Sequence, residues 1–299
     1  MKKSLTLVIA LPLVMTMASC GGPKTSQDEP QQQTEINNAE VGQDEETEFP
    51  WAFPEGIKNP GLAEGQIVLS CHSFYPNALA ESDDPAEETY IFYNGNLTSV
   101  GDTKSSIRSF GEDVEMPNSL IIPIPQGQTA KKGDIVLTWW QSGSGMQRAI
   151  VTDDSDPASP KVCYLDLSFK DDGSGFANEH ANEQLKPNTF VVMKDGEWQP
   201  GAQIFVEGSN ETGTLLCATD EDVLMLCFAG KIKAYYRSDC KVIPLNQGLK
   251  VGDEVKSTFV DKFSDGYKIT KIDESIGRVW VEGSFGNDVK SIFEVYKEQ

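Results

Sequence analysis

Four short glycine-led segments constrain this chain more than any other feature. Gly65 precedes Gln66, Ile67 and Val68; Gly133 precedes Asp134, Ile135 and Val136; Gly201 precedes Ala202, Gln203 and Ile204; Gly252 precedes Asp253, Glu254 and Val255. Each glycine permits a tight turn with positive φ, and the apolar residue after it starts the inward-facing set of a strand. The glycines are spaced by 68, 68 and 51 residues, which fits a series of small modules. Runs of Val, Ile, Thr, Tyr, Phe and Trp between turn residues mark strands at 66–70, 89–93, 134–140, 148–152, 162–167, 203–207, 212–218, 223–228, 253–260, 267–272 and 277–282. One helix is expected, over 176–185. Residues 223–228 are six consecutive apolar positions. A strand with one wet face does not read this way, so both its faces are expected to be covered, one by its own module and one by a neighbour.

The second copy carries more. Gly133, Asp134 and Val136 are followed by Trp139 and Trp140, a Gly143 and Gly145 turn, Ala149 and Val151, then Tyr164 and Asp166. This order resembles the Tudor and Agenet modules, which are small SH3-like barrels. The fourth copy is similar in Gly252, Asp253, Val255, Gly266, Tyr267, Ile269, Val279, Trp280 and Val281, but lacks the aromatic-x-Asp element. The third has neither the Gly-Asp pair nor the paired Trp, and the first, with Phe74, Tyr75, Phe92 and Tyr93, matches least. The resemblance implies an all-β chain of tandem SH3-like (Tudor-like) barrels, with modules at 51–125, 126–195, 196–248 and 249–299. The same strands also suit one or two larger β-domains. By resemblance, an aromatic cage forms at the end of the second barrel, and the matching positions are Trp139 or Trp140, Tyr164 and Asp166. Such a site suits a cation. Neighbouring residues on a strand face opposite sides; with Ile135, Leu137 and Trp139 lining the core, Val136, Thr138 and Trp140 face out. The alternative makes both Trp structural, one in the core and one between barrels.

The N-terminus reads as an address. Lys2 and Lys3 precede an apolar stretch at 5–17, too short to span a bilayer, and then Ala18, Ser19 and Cys20. This resembles the lipobox of bacterial lipoproteins, which implies a signal peptide over 1–19, lipidation of Cys20 and anchoring in the cell envelope. Gly21 in place of an acid implies the outer membrane, on its periplasmic or its outer side. The stretch from Gly21 to Pro50 holds eight acids, one Lys and almost no apolar residue. It cannot offset its chain entropy by burial, so residues 20–50 read as a disordered acidic tether.

Net charge is −21 for the chain and −16 for residues 51–299. Phosphate would be repelled, so nucleic acid is not an expected partner. No nucleophile elbow, phosphate loop or His-rich metal motif occurs. His72 and Cys71 are expected on opposite faces of a strand end, and His180 in solvent. The acid pairs at 83–84, 153–156 and 171–172 read as turns. Neither catalytic residues nor a metal or other cofactor is expected. Beyond Cys20, five cysteines remain, and they read as small buried hydrophobes. Cys217 is expected opposite Leu224 and Cys227 opposite Thr214, with the two sulfurs apart. The function expected is a non-enzymatic, lipid-anchored binding protein that engages an envelope or extracellular protein or peptide. Two rivals are a glycan-binding lipoprotein, with Trp139, Trp140, Trp198 or Trp280 stacking on sugars, and a hydrolase with a carboxylate pair.

Overall fold

A computed structural model describes residues 56–298 apart from Pro85, Ala86, Phe110, Asp171, Glu179 and Phe285. The expected signal peptide at 1–19, Cys20 and the expected tether at 20–50 lie outside the described residues. Over the described residues the chain is all-β and holds four five-stranded antiparallel sheets. The first comprises β1 (Ile67–Ser70), β2 (Tyr93–Val100), β3 (Lys104–Ser109), β4 (Glu112–Pro117) and β5 (Ile121–Pro123). The second comprises β6 (Ile135–Trp139), β7 (Met146–Asp153), β8 (Lys161–Tyr164), β9 (Asn182–Gln184) and β10 (Val191–Val192). The third has β11 (Gln203–Val206), β12 (Thr212–Ala218), β13 (Asp222–Leu226), β14 (Ile232–Tyr236) and β15 (Cys240–Val242). The fourth has β16 (Glu254–Phe259), β17 (Lys262–Asp273), β18 (Arg278–Gly283), β19 (Gly286–Ser291) and β20 (Val295–Tyr296). In every sheet the first four strands form a meander and the fifth returns to pair with the first.

The glycine motif is the turn that starts each sheet. The residue after the glycine donates its N–H three residues back: Gln66 to Ala63 at 3.2 Å, Asp134 to Lys131 at 2.9 Å, Ala202 to Gln199 at 3.0 Å and Asp253 to Lys250 at 3.0 Å. The glycine is the third residue of the turn, with φ of 77°, 90°, 88° and 96° in chain order, a conformation that penalises a side chain. Where Asp follows, its carboxylate closes the turn again. Asp134 Oδ2 accepts the Lys131 N–H at 2.7 Å, and Asp253 Oδ2 accepts the Lys250 N–H at 2.8 Å. Three residues past each glycine lie Val68, Val136, Ile204 and Val255, all buried.

The second strand of each sheet carries a bulge, at Leu97/Ser99, Val151/Asp153, Leu215/Cys217 and Ile269/Lys271. In three sheets the extra residue is a threonine. Thr98, Thr152 and Thr270 donate their hydroxyls across the ladder to the carbonyls of Ser106, Lys161 and Trp280 at 3.1, 3.2 and 3.3 Å. In the third sheet it is Leu216, fully buried against other modules. A bulge residue points away from its own core. Facing water it is hydroxylic, and facing a neighbour it is apolar.

The modules fuse through one core. Separate clusters fill the second, third and fourth sheets. The largest cluster joins all four: Leu69, Leu97 and Ile121 of the first, Ile135, Leu137 and Ile150 of the second, Leu216 and Leu224 of the third, and Phe293 of the fourth. Burying a large aliphatic side chain stabilises by about 1.5–3 kcal/mol, so this shared core rivals the private ones. Phe205, Phe263 and Tyr296 form a second seam between the third and fourth modules, with ring centroids 5.1–6.0 Å apart. Two arginines staple the seams. Arg148 binds Asp166 within its module, donates to Gln203 Oε1 of the third module at 2.7 Å and stacks 3.7 Å from the Phe293 ring centroid of the fourth. Arg278 of the fourth module donates to the Tyr164 and Leu167 carbonyls of the second, each at 3.0 Å.

The run at 223–228 is covered on both sides over its strand. Val223 and Met225 sit in the third module's own core, while Leu224 and Leu226 face the shared core. Four expectations need correction. Residues 89–92 are not a strand but a strap: the Tyr90 N–H bonds the Gly230 carbonyl of the third module at 3.0 Å, and the Phe92 carbonyl accepts the Met146 N–H of the second at 2.7 Å. Their aromatic alternation serves an intermodule seam. The described residues of 176–185 are not helical and include β9, and the α-helix among the described residues is instead α1 (Tyr75–Glu81), with Pro76 in its first turn. The facing of β6 is inverted. Val136 and Trp140 pack with the module's own core, and Ile135, Leu137 and Trp139 with the shared one. Finally, Cys217 lies opposite Leu224 as expected, but Thr214 pairs with Leu226. The bulge at Leu216 shifts everything beyond it by one place, so Cys227 does not face Thr214.

Candidate binding groove

The residues matched to an aromatic cage do not gather at one open face. Trp139 packs on the shared core. Trp140 lies against the second module's core, under its own turn; a side chain at Gly143 would come within 2.3 Å of the ring. Tyr164 is fully buried. Its hydroxyl donates to Glu183 Oε2 at 2.6 Å and accepts the Gln141 N–H at 3.2 Å. Burial and the neighbouring Glu183 carboxylate push its pKa well above the usual phenol range. Asp166 accepts the Arg148 N–H at 2.7 Å and two guanidinium N–H groups at 2.5 and 3.0 Å. Its carboxylate is thereby committed to Arg148. Both Tyr164 and Asp166 serve as structural anchors.

Trp198 and Trp280 are half-buried and carry contacts of their own. Arg237 lies 4.4 Å from the Trp198 ring centroid, and Lys271 lies 3.9 Å from that of Trp280. Phe169 meets the Trp280 ring edge-on at 5.8 Å. All four of Trp139, Trp140, Trp198 and Trp280 are half-buried, which reduces the ring face left for stacking a sugar.

Loop acids are spent on turns. Asp153 Oδ1 accepts the Ser155 N–H at 2.9 Å, Asp156 that of Ala158 at 3.2 Å, and Asp172 that of Ser174 at 2.8 Å. The Ser155 backbone and hydroxyl, with Lys161, hold Asp153 down to about 2. Among the described residues no group of His, Cys, Asp and Glu could hold a metal ion. His72 is buried, with Nδ1 3.1 Å from Ser70 Oγ, and burial lowers its pKa. Cys71, Cys163, Cys217, Cys227 and Cys240 are free thiols. Burial pushes Cys163, Cys227 and Cys240 up to about 11 and Cys217 to about 12. Such thiols are poor nucleophiles at neutral pH.

Packing the modules side by side leaves concave surface between them. The larger groove, about 500 Å³, runs between the second and fourth modules. Its floor is apolar: Ile135, Ile150 and Met193 from one side, Ile272, Val279 and Ile292 from the other, with Leu245 and Leu249 from the connection between β15 and β16. Its charged lining residues are Asp134, Asp195 and Glu274, all acidic. The connection is pinned on both sides. Gln247 Nε2 donates to the Val295 carbonyl at 2.9 Å, and Asp195 Oδ1 accepts the Asn246 N–H at 3.2 Å. Gly277 lets the fourth module approach: its φ is 61°, and a Cβ there would lie 2.6 Å from Leu165.

A second cleft, about 410 Å³, opens where the second, third and fourth modules meet. The Arg148 and Asp166 pair lines it, with Gln203, Thr212, Asp261 and Glu294. Phe228 and Val260 also line it and are 57 % exposed. Val260, at φ 61°, is a β-branched residue in the left-handed region.

Sequence reasoning missed the groove because no motif carries it. Its residues come from two modules and a connection, each apolar for reasons that look like ordinary core. Gly133 and Asp134 are the part of the lining that a motif marks, as a strand-starting turn and as the start of the Tudor-like pattern, and neither reading points to a groove. Comparison of the chain with protein-family models and with curated proteins gives no match.

Proposed function

We propose that this chain is a lipid-anchored, extracytoplasmic binding protein without enzymatic activity. In this reading Cys20 carries the lipid, residues 20–50 hold the folded part away from the outer membrane, and the fused modules present a protein or peptide site. The observation that carries the reading is the groove between the second and fourth modules. It combines an apolar floor with polar edges, as ligand sites do, and it exists only because the modules pack together. Trp139, Trp140, Tyr164 and Asp166 are each engaged in packing or hydrogen bonds within and between the modules, so this reading puts the site at the seam rather than at those residues. The lipobox-like N-terminus supports the location.

The test is affinity capture from envelope extract, with the mature chain as bait, beside Leu245→Ser/Leu249→Ser and Trp140→Ala/Tyr164→Ala baits. Circular dichroism checks that each bait is folded. A partner retained by wild type and lost by the Leu245/Leu249 variant supports the groove. Equal capture by that folded variant refutes it. Separately, Cys20→Ala is expected to abolish incorporation of a labelled fatty acid and release the chain from membranes.

A further inference from the structure

We infer that the groove between the second and fourth modules takes a short basic, amphipathic segment of another protein, lysine or arginine side chains at its rim and aliphatic ones on its floor. The inference rests on the groove being a binding site and adds the chemistry of its occupant.

The charge around the groove is one-sided. Asp134, Asp195 and Glu274 line it, and no Lys or Arg does. Two of these carboxylates are held in place by backbone donors, Asp134 by the Lys131 N–H at 2.7 Å and Asp195 by the Asn246 N–H at 3.2 Å. Fixed charges at a rim cost little further ordering when a cation arrives. The floor meanwhile offers Ile135, Met193, Leu245, Leu249, Ile272 and Ile292, which favours aliphatic side chains over a purely polar ligand. A volume of about 500 Å³ accommodates a few side chains of a segment rather than the face of a domain.

Charge also decides against the nearest available occupants. The tether of this chain carries eight acids and one Lys between Gly21 and Pro50, so the acidic rim repels it. A second copy brings another body of net charge −16. What complements the rim is a cationic partner, drawn in by the field of the whole folded part.

The experiment uses the mature chain and fluorescein-labelled peptides of about twelve residues, a length suited to a groove-bound segment. Two Lys–Leu peptides present leucines either alternately or at i, i+3, i+4 and i+7, and Glu–Leu and Lys–Ser peptides are controls. Fluorescence anisotropy is expected to detect binding of a Lys–Leu peptide and neither control. The rim variant Asp134→Asn/Asp195→Asn/Glu274→Gln keeps acceptors for the backbone donors and is expected to weaken binding about tenfold, as is raised salt. Equal binding of the Glu–Leu peptide, an unchanged affinity in the rim variant, or no binding of either Lys–Leu peptide overturns the inference. If the Leu245→Ser/Leu249→Ser chain does not fold, a photo-crosslinking residue at the exposed Asn246 in the otherwise wild-type chain replaces it. Crosslinking supports the site, and anisotropy without crosslinking overturns it. Loss of envelope-partner capture in the Leu245/Leu249 variant with no effect of the rim variant retains the groove while removing its charge preference. The two readings therefore fail separately.

Discussion

Adjacent residues of β13 make a direct test of whether the modules are one folding unit. Leu224 and Met225 are both fully buried, but Leu224 faces the core shared by all modules and Met225 the private core of the third. Leu224→Ala removes three methylene equivalents at about 0.8 kcal/mol each. The residual cavity adds about 1 kcal/mol at ~24 cal/mol per Å³. The total, about 3.5 kcal/mol, corresponds to a fall in Tm of roughly 7–14 °C for a unit of this size. Differential scanning calorimetry of the chain is expected to show one transition, shifted by a comparable amount in Leu224→Ala and in Met225→Ala. If the modules were independent, Leu224 would matter only to their docking. A Leu224→Ala scan that keeps a transition at the wild-type Tm would refute the shared core as a source of stability.

Other perturbations bear on single contacts. Gly277→Ala forces a side chain into the left-handed region and against Leu165, which is expected to cost about 1–3 kcal/mol in urea unfolding; an unchanged midpoint would contradict the close approach. Arg148→Met removes a buried guanidinium that touches three modules and leaves the partly exposed Asp166 only the residue-148 backbone N–H, a loss of about 1–3 kcal/mol by the same measurement. His72 has its pKa lowered by burial from 6.5, so the unfolded chain binds the proton first. The stability held by neutral His72 is complete above about pH 6.5 and declines as pH falls below it. His72→Gln is expected to flatten that slope, and a slope identical to wild type would refute the assignment. With thiols at about 11 to 12, a maleimide or disulfide reagent at pH 7.5 is expected to label the native chain slowly and the urea-unfolded chain fully; rapid native labelling would place a thiol at the surface.

Most of the architecture was legible because it rests on local rules. A glycine with positive φ, an Asp that bonds back to the turn and an apolar residue three places later recur in spacing that a sequence displays. The two-sided burial of residues 223–228 was legible for the same reason, since alternation fails when both faces are covered. Facing was not legible. Val136 and Leu137 are equally apolar, and only the packing of neighbours decides which looks into its own module. The bulge at Leu216 left no mark either, because Leu there reads as strand, whereas Thr98, Thr152 and Thr270 fill the equivalent places where water is outside. The strap at 89–92 carries a strand's composition for a seam's purpose. The candidate site was the least legible part, because a surface assembled from distant segments has no spacing to read.

The shared core also fixes the order in which the chain can mature. Asn59 donates through Nδ2 to the Leu216 carbonyl at 2.8 Å, across 157 positions of sequence, and Arg278 reaches back 114 positions to Tyr164. The apolar face of the first module is covered only once Leu216 and Leu224 of the third have been made. Modules that look like beads, each able to fold as it appears, must instead wait for one another. Closing such distant contacts is slow, and the uncovered face of the first module is an aggregation hazard until the third arrives. A truncation after its second module would leave Leu69, Leu97 and their neighbours without their third-module partners, a sticky intermediate rather than half a protein.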